Sequence, residues 1–114
     1  MLTIYHNPRC SKSRQTLSLL QDQGLEPEIV LYLETAPSPE AITLLLKKLG
    51  IGARQLLRRG EQEYKDQSLA DTSLSEQQLI AAMAKYPKLI ERPIVINGER
   101  AAIGRPPEAV LEII

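Results

Sequence analysis

The chain contains one cysteine, in a stretch that reads His6-Asn7-Pro8-Arg9-Cys10-Ser11-Lys12-Ser13-Arg14. A thiol reacts as its thiolate, and a free cysteine titrates near ~8.5; a helix N-terminus and neighbouring cations bring that value down. Helical periodicity from Ser11 onward puts Cys10 at an N-cap, where free backbone N–H groups and the positive end of the dipole face the sulfur. Arg9, Lys12 and Arg14 add positive charge nearby as tuning for the thiol. A lone cysteine is often a small apolar filler. A polar, cationic turn containing proline is a poor setting for one, so the pattern favours a reactive nucleophile.

Two neighbours bear on that chemistry. His6 is a turn histidine bonded to backbone, a general base, or a cation that helps depress the thiol pKa, and the first is the favoured reading. Ser13 occupies the second position of a C-x-x-C frame, where a dithiol motif keeps the thiol that resolves a mixed disulfide. A serine cannot resolve a disulfide, although its hydroxyl can donate a hydrogen bond to a thiolate or a bound oxyanion. Any catalytic cycle at Cys10 therefore needs a thiol from another molecule.

Arginines form the second group of interest. Most arginines are solvated and snorkel along the surface. Arg92 and Arg105 differ because each precedes a proline and the pair flanks a predicted hairpin at the same end; Arg58 and Arg59 close a helical piece. Guanidinium forks bind tetrahedral oxyanions through paired hydrogen bonds. A low-pKa thiolate near several arginines can attract an oxyanion and attack its central atom.

The elements that must position these groups are legible from periodicity. Leu2-Thr3-Ile4-Tyr5 alternates as a strand and is broken by Asn7-Pro8. A helix follows from Ser11, with Thr16, Leu17, Leu19 and Leu20 on one side and Gly24 at its end. Glu28 through Leu33 reads as a second strand, parallel to the first because a helix separates them. Ser38-Pro39-Glu40 opens a helix carrying Ile42, Leu45, Leu46 and Leu49 and stopped by Gly50, and a short helical piece runs from Ala53 to Leu57. Ser75-Glu76-Gln77-Gln78 is a capping box that opens a helix with Leu79, Ile80 and Met83, ending near Pro87.

The last segment changes period. Pro93-Ile94-Val95-Ile96 is a strand, Asn97-Gly98 a hairpin signal, and Glu99 to Ile103 the returning strand. Pro106-Pro107-Glu108 opens a final helix with Val110, Leu111 and Ile114 on its apolar side. The order is β-α-β, a helical insertion, then β-β-α: an α/β fold with a thioredoxin-like mixed sheet and the cysteine at the first strand-to-helix junction. An X-Pro bond entering a strand, as Arg92-Pro93 does, is also where a cis peptide could hold backbone against the thiolate in that fold.

Composition narrows the class. A chain of 114 residues is sized for a single domain, 1–114, with 43% hydrophobic and 25% charged residues. Lys+Arg and Asp+Glu balance at 14 each, so bulk charge offers no case for nucleic acid or an anionic membrane. Phe and Trp are absent, which leaves few stacking platforms for single strands. With one Cys and one His, the chain cannot supply a Cys-rich zinc site or an internal disulfide. No bound metal or cofactor is expected, and a lone thiol fits a reducing cytoplasm.

The chain resembles the arsenate reductases of the ArsC family, which have a thioredoxin fold and draw electrons from glutathione and glutaredoxin. The resemblance rests on Ile4-Tyr5-His6-Asn7-Pro8, Cys10, Ser13-Arg14, Thr16-Leu17, Leu31-Tyr32-Leu33, Leu56-Leu57-Arg58, Arg92-Pro93-Ile94-Val95 and Arg105-Pro106, in that order along nearly the whole chain. Cys10-Ser11-Lys12-Ser13 departs from the Cys-Gly-Thr-Ser of well-established members. The resemblance implies Cys10 as nucleophile and Arg58, Arg92 and Arg105 as the oxyanion-binding set. It implies His6 beside the cysteine, Pro93 as the cis proline, and glutathione as co-substrate with glutaredoxin as partner. Two other readings share the fold: a monothiol glutathione-dependent oxidoreductase, and a non-catalytic Spx-like regulator binding RNA polymerase. Ser13 removes the dithiol switch that such regulators usually carry.

Overall fold

The computed structural model describes residues 2–114. In chain order the elements are β1 (Leu2–Tyr5), α1 (Ser11–Asp22), β2 (Glu28–Val30), α2 (Pro39–Leu49), α3 (Ala53–Leu56), α4 (Gln62–Asp66), α5 (Glu76–Lys85), a 3-10 turn (Pro87–Leu89), β3 (Ile94–Asn97), β4 (Arg100–Ile103) and a 3-10 helix (Pro107–Ile113). They form two compact units, one running through Thr35 and resuming at Arg92–Ile114, the other being Ala36–Glu91.

The first unit is built on a sheet of order β2-β1-β3-β4. β1 pairs parallel with β2 and antiparallel with β3, and β3 pairs antiparallel with β4. The register aligns Tyr5 with Ile94 and Ile94 with Ile103, so one row of the sheet ends at the same edge in three strands. On the covered face Ile4 and its cross-strand partner Val95 meet Leu20 of α1 and Val110 and Ile113 of the 3-10 helix. Burial of this apolar cluster is the main force holding α1 and the C-terminal segment to the sheet.

Three local readings differ from sequence expectation. The second strand stops at Val30, because the Leu31 carbonyl accepts turn bonds from the N–H groups of Glu34 and Thr35, each at 2.9 Å. Tyr32 then turns inward, fully buried, and its ring stacks on Tyr5 at 6.2 Å. The hairpin turn is Gly98-Glu99 rather than Asn97-Gly98, since Asn97 still pairs with Arg100 and Gly98 takes the positive φ of 62°. Asn97 instead donates its side-chain amide to the Ile113 carbonyl at 2.6 Å.

The final segment is 3-10 throughout, and this changes which residues face inward. A repeat of three residues per turn aligns Pro107, Val110 and Ile113, all buried, and leaves Leu111 and Ile114 exposed.

In the second unit the caps follow the sequence. Ser38 Oγ accepts from Ala41 N at 3.1 Å, and Gly50 closes α2 at φ 70°. Ser75 and Gln78 exchange capping bonds at 2.7 and 3.1 Å. Beside them the Glu76 carboxylate accepts from Ala53 N and fixes the start of α3. α2 packs on α5, whose buried residues are Leu79, Ile80 and Met83. α4 has no buried residue, and so leaves no apolar period in the sequence.

The 3-10 register makes a direct prediction. Ile113→Ala should destabilise the protein by about 2 kcal/mol, while Ile114→Ala should cost less than about 0.5 kcal/mol. Urea denaturation of both variants reads this, and the reverse order would mean an α-helical register.

Candidate active site

The chain leaves β1 at Tyr5 and reaches α1 through a turn that fastens on itself. His6 N donates to Val30 O at 2.9 Å and extends the parallel ladder by one rung. Cys10 N donates to Asn7 O and Arg9 N to Asn7 Oδ1, each at 3.0 Å. Arg14 Nη1 donates to Pro8 O at 2.8 Å. Cys10 is therefore delivered in extended backbone as the N-cap of α1, and its carbonyl accepts the first helical bond, from Arg14 N at 3.0 Å.

From the opposite side the hairpin supplies cations. Past the Tyr5–Ile94–Ile103 row stand His6, Pro93 and Gly104, and one step further on β3 and β4 stand Arg92 and Arg105. Both Arg92-Pro93 and Arg105-Pro106 are cis. Gly104 N donates to Pro93 O at 2.9 Å and Arg105 Nε to Arg92 O at 2.7 Å, locking the two X-Pro corners together. The Arg105 Nη2 group then lies 3.5 Å from Cys10 Sγ.

Cys10 is 9% exposed. Burial by itself pushes the thiol pKa up. The Ser13 N–H, the Arg92 side chain through hydrogen bond and charge, and the Lys12 N–H more than offset this, so the thiol is held below its ordinary value. The sulfur makes no side-chain cap of oxygen-like geometry; it draws instead on the field of these N–H groups at the helix terminus.

The cations adjacent in sequence act differently from expectation. Arg9 and Lys12 are exposed, Arg14 is committed to the Pro8 carbonyl, and Lys12 contributes through its backbone. Thiolate stabilisation by side chains comes from far along the chain.

His6, Ser13 and Thr16 are the buried polar side chains among the described residues, and all three gather here. Ser13 Oγ accepts from Asn7 N at 3.0 Å and lies 2.7 Å from His6 Nδ1. Burial first, and the charge of Arg14 second, pull the His6 pKa below the ordinary imidazole range. A lowered pKa favours the neutral ring at pH 7, hydrogen-bonded through Nδ1 to the Ser13 hydroxyl. The lowered pKa runs against the reading of His6 as a cation beside the thiol. The hydrogen bond also redirects Ser13, whose hydroxyl serves His6 while its N–H serves the sulfur.

Arg58 lies in the second unit. Its backbone N donates to Leu89 O at 2.8 Å beside the Leu57–Ile90 bridge. Its guanidinium contacts Glu91 at 2.6 Å and Glu61 at 3.4 Å, so two carboxylates compensate its charge. Among the described residues no group of three or more His, Cys, Asp or Glu is placed to hold a metal ion, and no helix is long and apolar enough to cross a membrane. Sequence reasoning passed over Gly104 and Asn7. A glycine ending a strand directly before Arg105-Pro106 was the available signal for the first.

The sequence matches the ArsC family over residues 5–113. It is 60% identical over 112 residues to the uncharacterized protein YfgD of Escherichia coli K12, covering 97% of this chain and 94% of that one. It is 51% identical over 112 residues to an arsenate reductase of Haemophilus influenzae, covering 97% of each. The solved arsenate reductase structure from Vibrio cholerae superposes with a TM-score of 0.97 at 53% identity, over 99% of this chain and 97% of that one. The architecture is thus the thioredoxin-like α/β fold of these proteins.

Two measurements test the electrostatics. Iodoacetamide should alkylate Cys10 rapidly below pH 7, and Arg92→Ala should move the midpoint of the rate profile upward toward that of a free thiol, near ~8.5. An unchanged midpoint would remove Arg92 from thiolate stabilisation. The single imidazole should titrate by NMR with a midpoint below ~6.5. Because the unfolded state takes up that proton first, stability should fall as pH drops through this window, and His6→Gln should flatten the slope.

Proposed function

The chain belongs to the ArsC family, and we propose that it reduces arsenate to arsenite through a Cys10 adduct, with glutathione and glutaredoxin as the electron source. The observation that carries this reading is a lone thiol, its pKa held down, under a guanidinium, with Arg105 Nη2 at 3.5 Å from Sγ. Such a site draws in a tetrahedral oxyanion and presents a nucleophile to its central atom.

In the proposed cycle the Cys10 thiolate attacks arsenic, an S–As bond forms and an oxygen leaves as water. A glutathione thiolate then attacks Sγ. The S–As bond breaks with its electron pair passing to arsenic, arsenite departs, and Cys10 is left joined to glutathione. A glutaredoxin thiol takes the glutathione away and returns the Cys10 thiolate. Two electrons move, and the second and third thiols are external, as a chain with one cysteine requires. A lone exchangeable thiol of this kind works in a reducing compartment, for which the cytoplasm is the natural assignment. Arg92 and Arg105 hold the oxyanion charge. Arg58 enters this reading through the family resemblance alone, since Glu61 and Glu91 hold its guanidinium.

The test is arsenite production from arsenate, glutathione and glutaredoxin. Wild-type protein should turn over and Cys10→Ala should not; Arg105→Ala should raise the KM for arsenate by about tenfold or more. Absence of arsenite above the Cys10→Ala background sinks the proposal. Turnover of a glutathionylated substrate without arsenite, insensitive to Arg92→Ala, would identify a monothiol oxidoreductase instead.

A further inference from the structure

Gly104 is buried, and the space a side chain would need there is already taken. A Cβ would stand 2.5 Å from Thr16 Oγ1, 2.8 Å from Pro93 Cγ and 3.2 Å from Thr16 Cγ2. Neither neighbour is the loose end of a flexible chain. Thr16 is β-branched and fully buried, and Pro93 is a closed ring, also buried. Its φ lies outside the left-handed region, so glycine is required here by space and not by backbone conformation.

The two structures that meet at this point are the two halves of the thiolate site. On one side, Thr16 Oγ1 donates to Lys12 O at 2.8 Å. That carbonyl belongs to the same peptide unit as the Ser13 N–H, which addresses the Cys10 sulfur. A hydrogen bond to the carbonyl holds the peptide plane and polarises its N–H. On the other side, the residue after Gly104 is Arg105, whose guanidinium reaches the sulfur at 3.5 Å. Gly104 N is bonded to Pro93 O as well, so pushing this backbone away moves the Arg92-Pro93 corner with it.

We propose that Gly104 is a positioning residue for the thiolate: its missing side chain sets the separation between the first turns of α1 and the end of β4, so that the Ser13 N–H and the Arg105 guanidinium converge on one sulfur. The inference rests on the Cys10 thiolate and not on which oxyanion that thiolate attacks. Thiol reactivity therefore tests it without arsenate.

The experiment is iodoacetamide alkylation of Cys10 at pH 6.5, at temperatures where circular dichroism shows each variant folded. Gly104→Ala should slow alkylation by about tenfold, the effect of a rise of about two units for a thiol titrating above the assay pH, since each unit cuts the thiolate fraction tenfold and returns about threefold in nucleophilicity. Adding Thr16→Ala to that variant should recover at least about a third of the lost rate, because two of the three close contacts go with the threonine. Gly60→Ala, where a Cβ meets nothing within 4 Å, should alkylate like wild type. Should Gly104→Ala not fold, Thr16→Val carries the test: it keeps the shape, loses the bond to Lys12 O, and should slow alkylation by about threefold, while Thr16→Ser should not. Wild-type alkylation by Gly104→Ala, no recovery in the double variant, or equal rates for Thr16→Val and Thr16→Ser would overturn the assignment.

Discussion

A negative sulfur that is nine-tenths buried has to be matched by fixed dipoles and cations, because removing an unpaired charge from water costs several kcal/mol, about as much as the whole stability of a small domain. Cys10 meets that demand from two directions. The N-terminus of α1 provides backbone N–H groups, and the two X-Pro corners provide Arg92 and Arg105. This constraint explains the sheet. Only a β1–β3–β4 run with antiparallel neighbours brings the C-terminal end of β1, the N-terminal end of β3 and the C-terminal end of β4 to one edge. The apolar cluster on the covered face then holds α1 against that edge.

Buried polar residues follow the same logic one layer further out. Ser13 cannot leave its hydroxyl unmatched, and it satisfies both Asn7 N–H and His6 Nδ1. Its own N–H is left for the sulfur, while burial and the charge of Arg14 hold the His6 pKa down. Thr16 sends its hydroxyl back to Lys12 O, a bond that usually bends or weakens a helix and here braces its first turn. These three side chains serve the geometry around Cys10 without supplying charge to it.

Much of this was legible in the sequence where the signals are local. Ser38, Gly50 and the Ser75–Gln78 box mark helix ends through bonds made within a few residues, and β-α-β order implies a parallel pair. Cys10 as an N-cap follows from the same kind of reading, whereas Pro93 as a cis corner comes from the family resemblance. What failed depended on direction or on partners distant in the chain. Arg9, Lys12 and Arg14 are close to Cys10 in sequence, yet side-chain direction sends them to solvent or to Pro8 O. Apolar residues at 110, 111, 113 and 114 satisfy a period of 3.0 as well as 3.6, and a bond from Asn97 to the Ile113 carbonyl accompanies the tighter one. Gly104 leaves only its place before Arg105-Pro106 as a signal, because its role is the absence of atoms that would touch a helix far earlier in the chain.

The chemistry of exchange gives the low thiol pKa a second purpose. In the proposed cycle Cys10 is first a nucleophile and later a leaving group, when an external thiol removes glutathione from it. Lowering a thiol pKa raises the thiolate fraction but reduces the intrinsic nucleophilicity of each thiolate, with a Brønsted slope of about 0.4–0.5, so the first step gains less than the pKa shift alone implies. The last step gains as well, since a stabilised thiolate departs faster. A protein that kept its own resolving cysteine could rely on proximity to drive that step. With serine at position 13, the rate of release rests on how well α1, Arg92 and Arg105 hold the departing charge. In that proposed cycle the groups that present the sulfur to an oxyanion also free it from the reductant, so a single well-supported cysteine suffices.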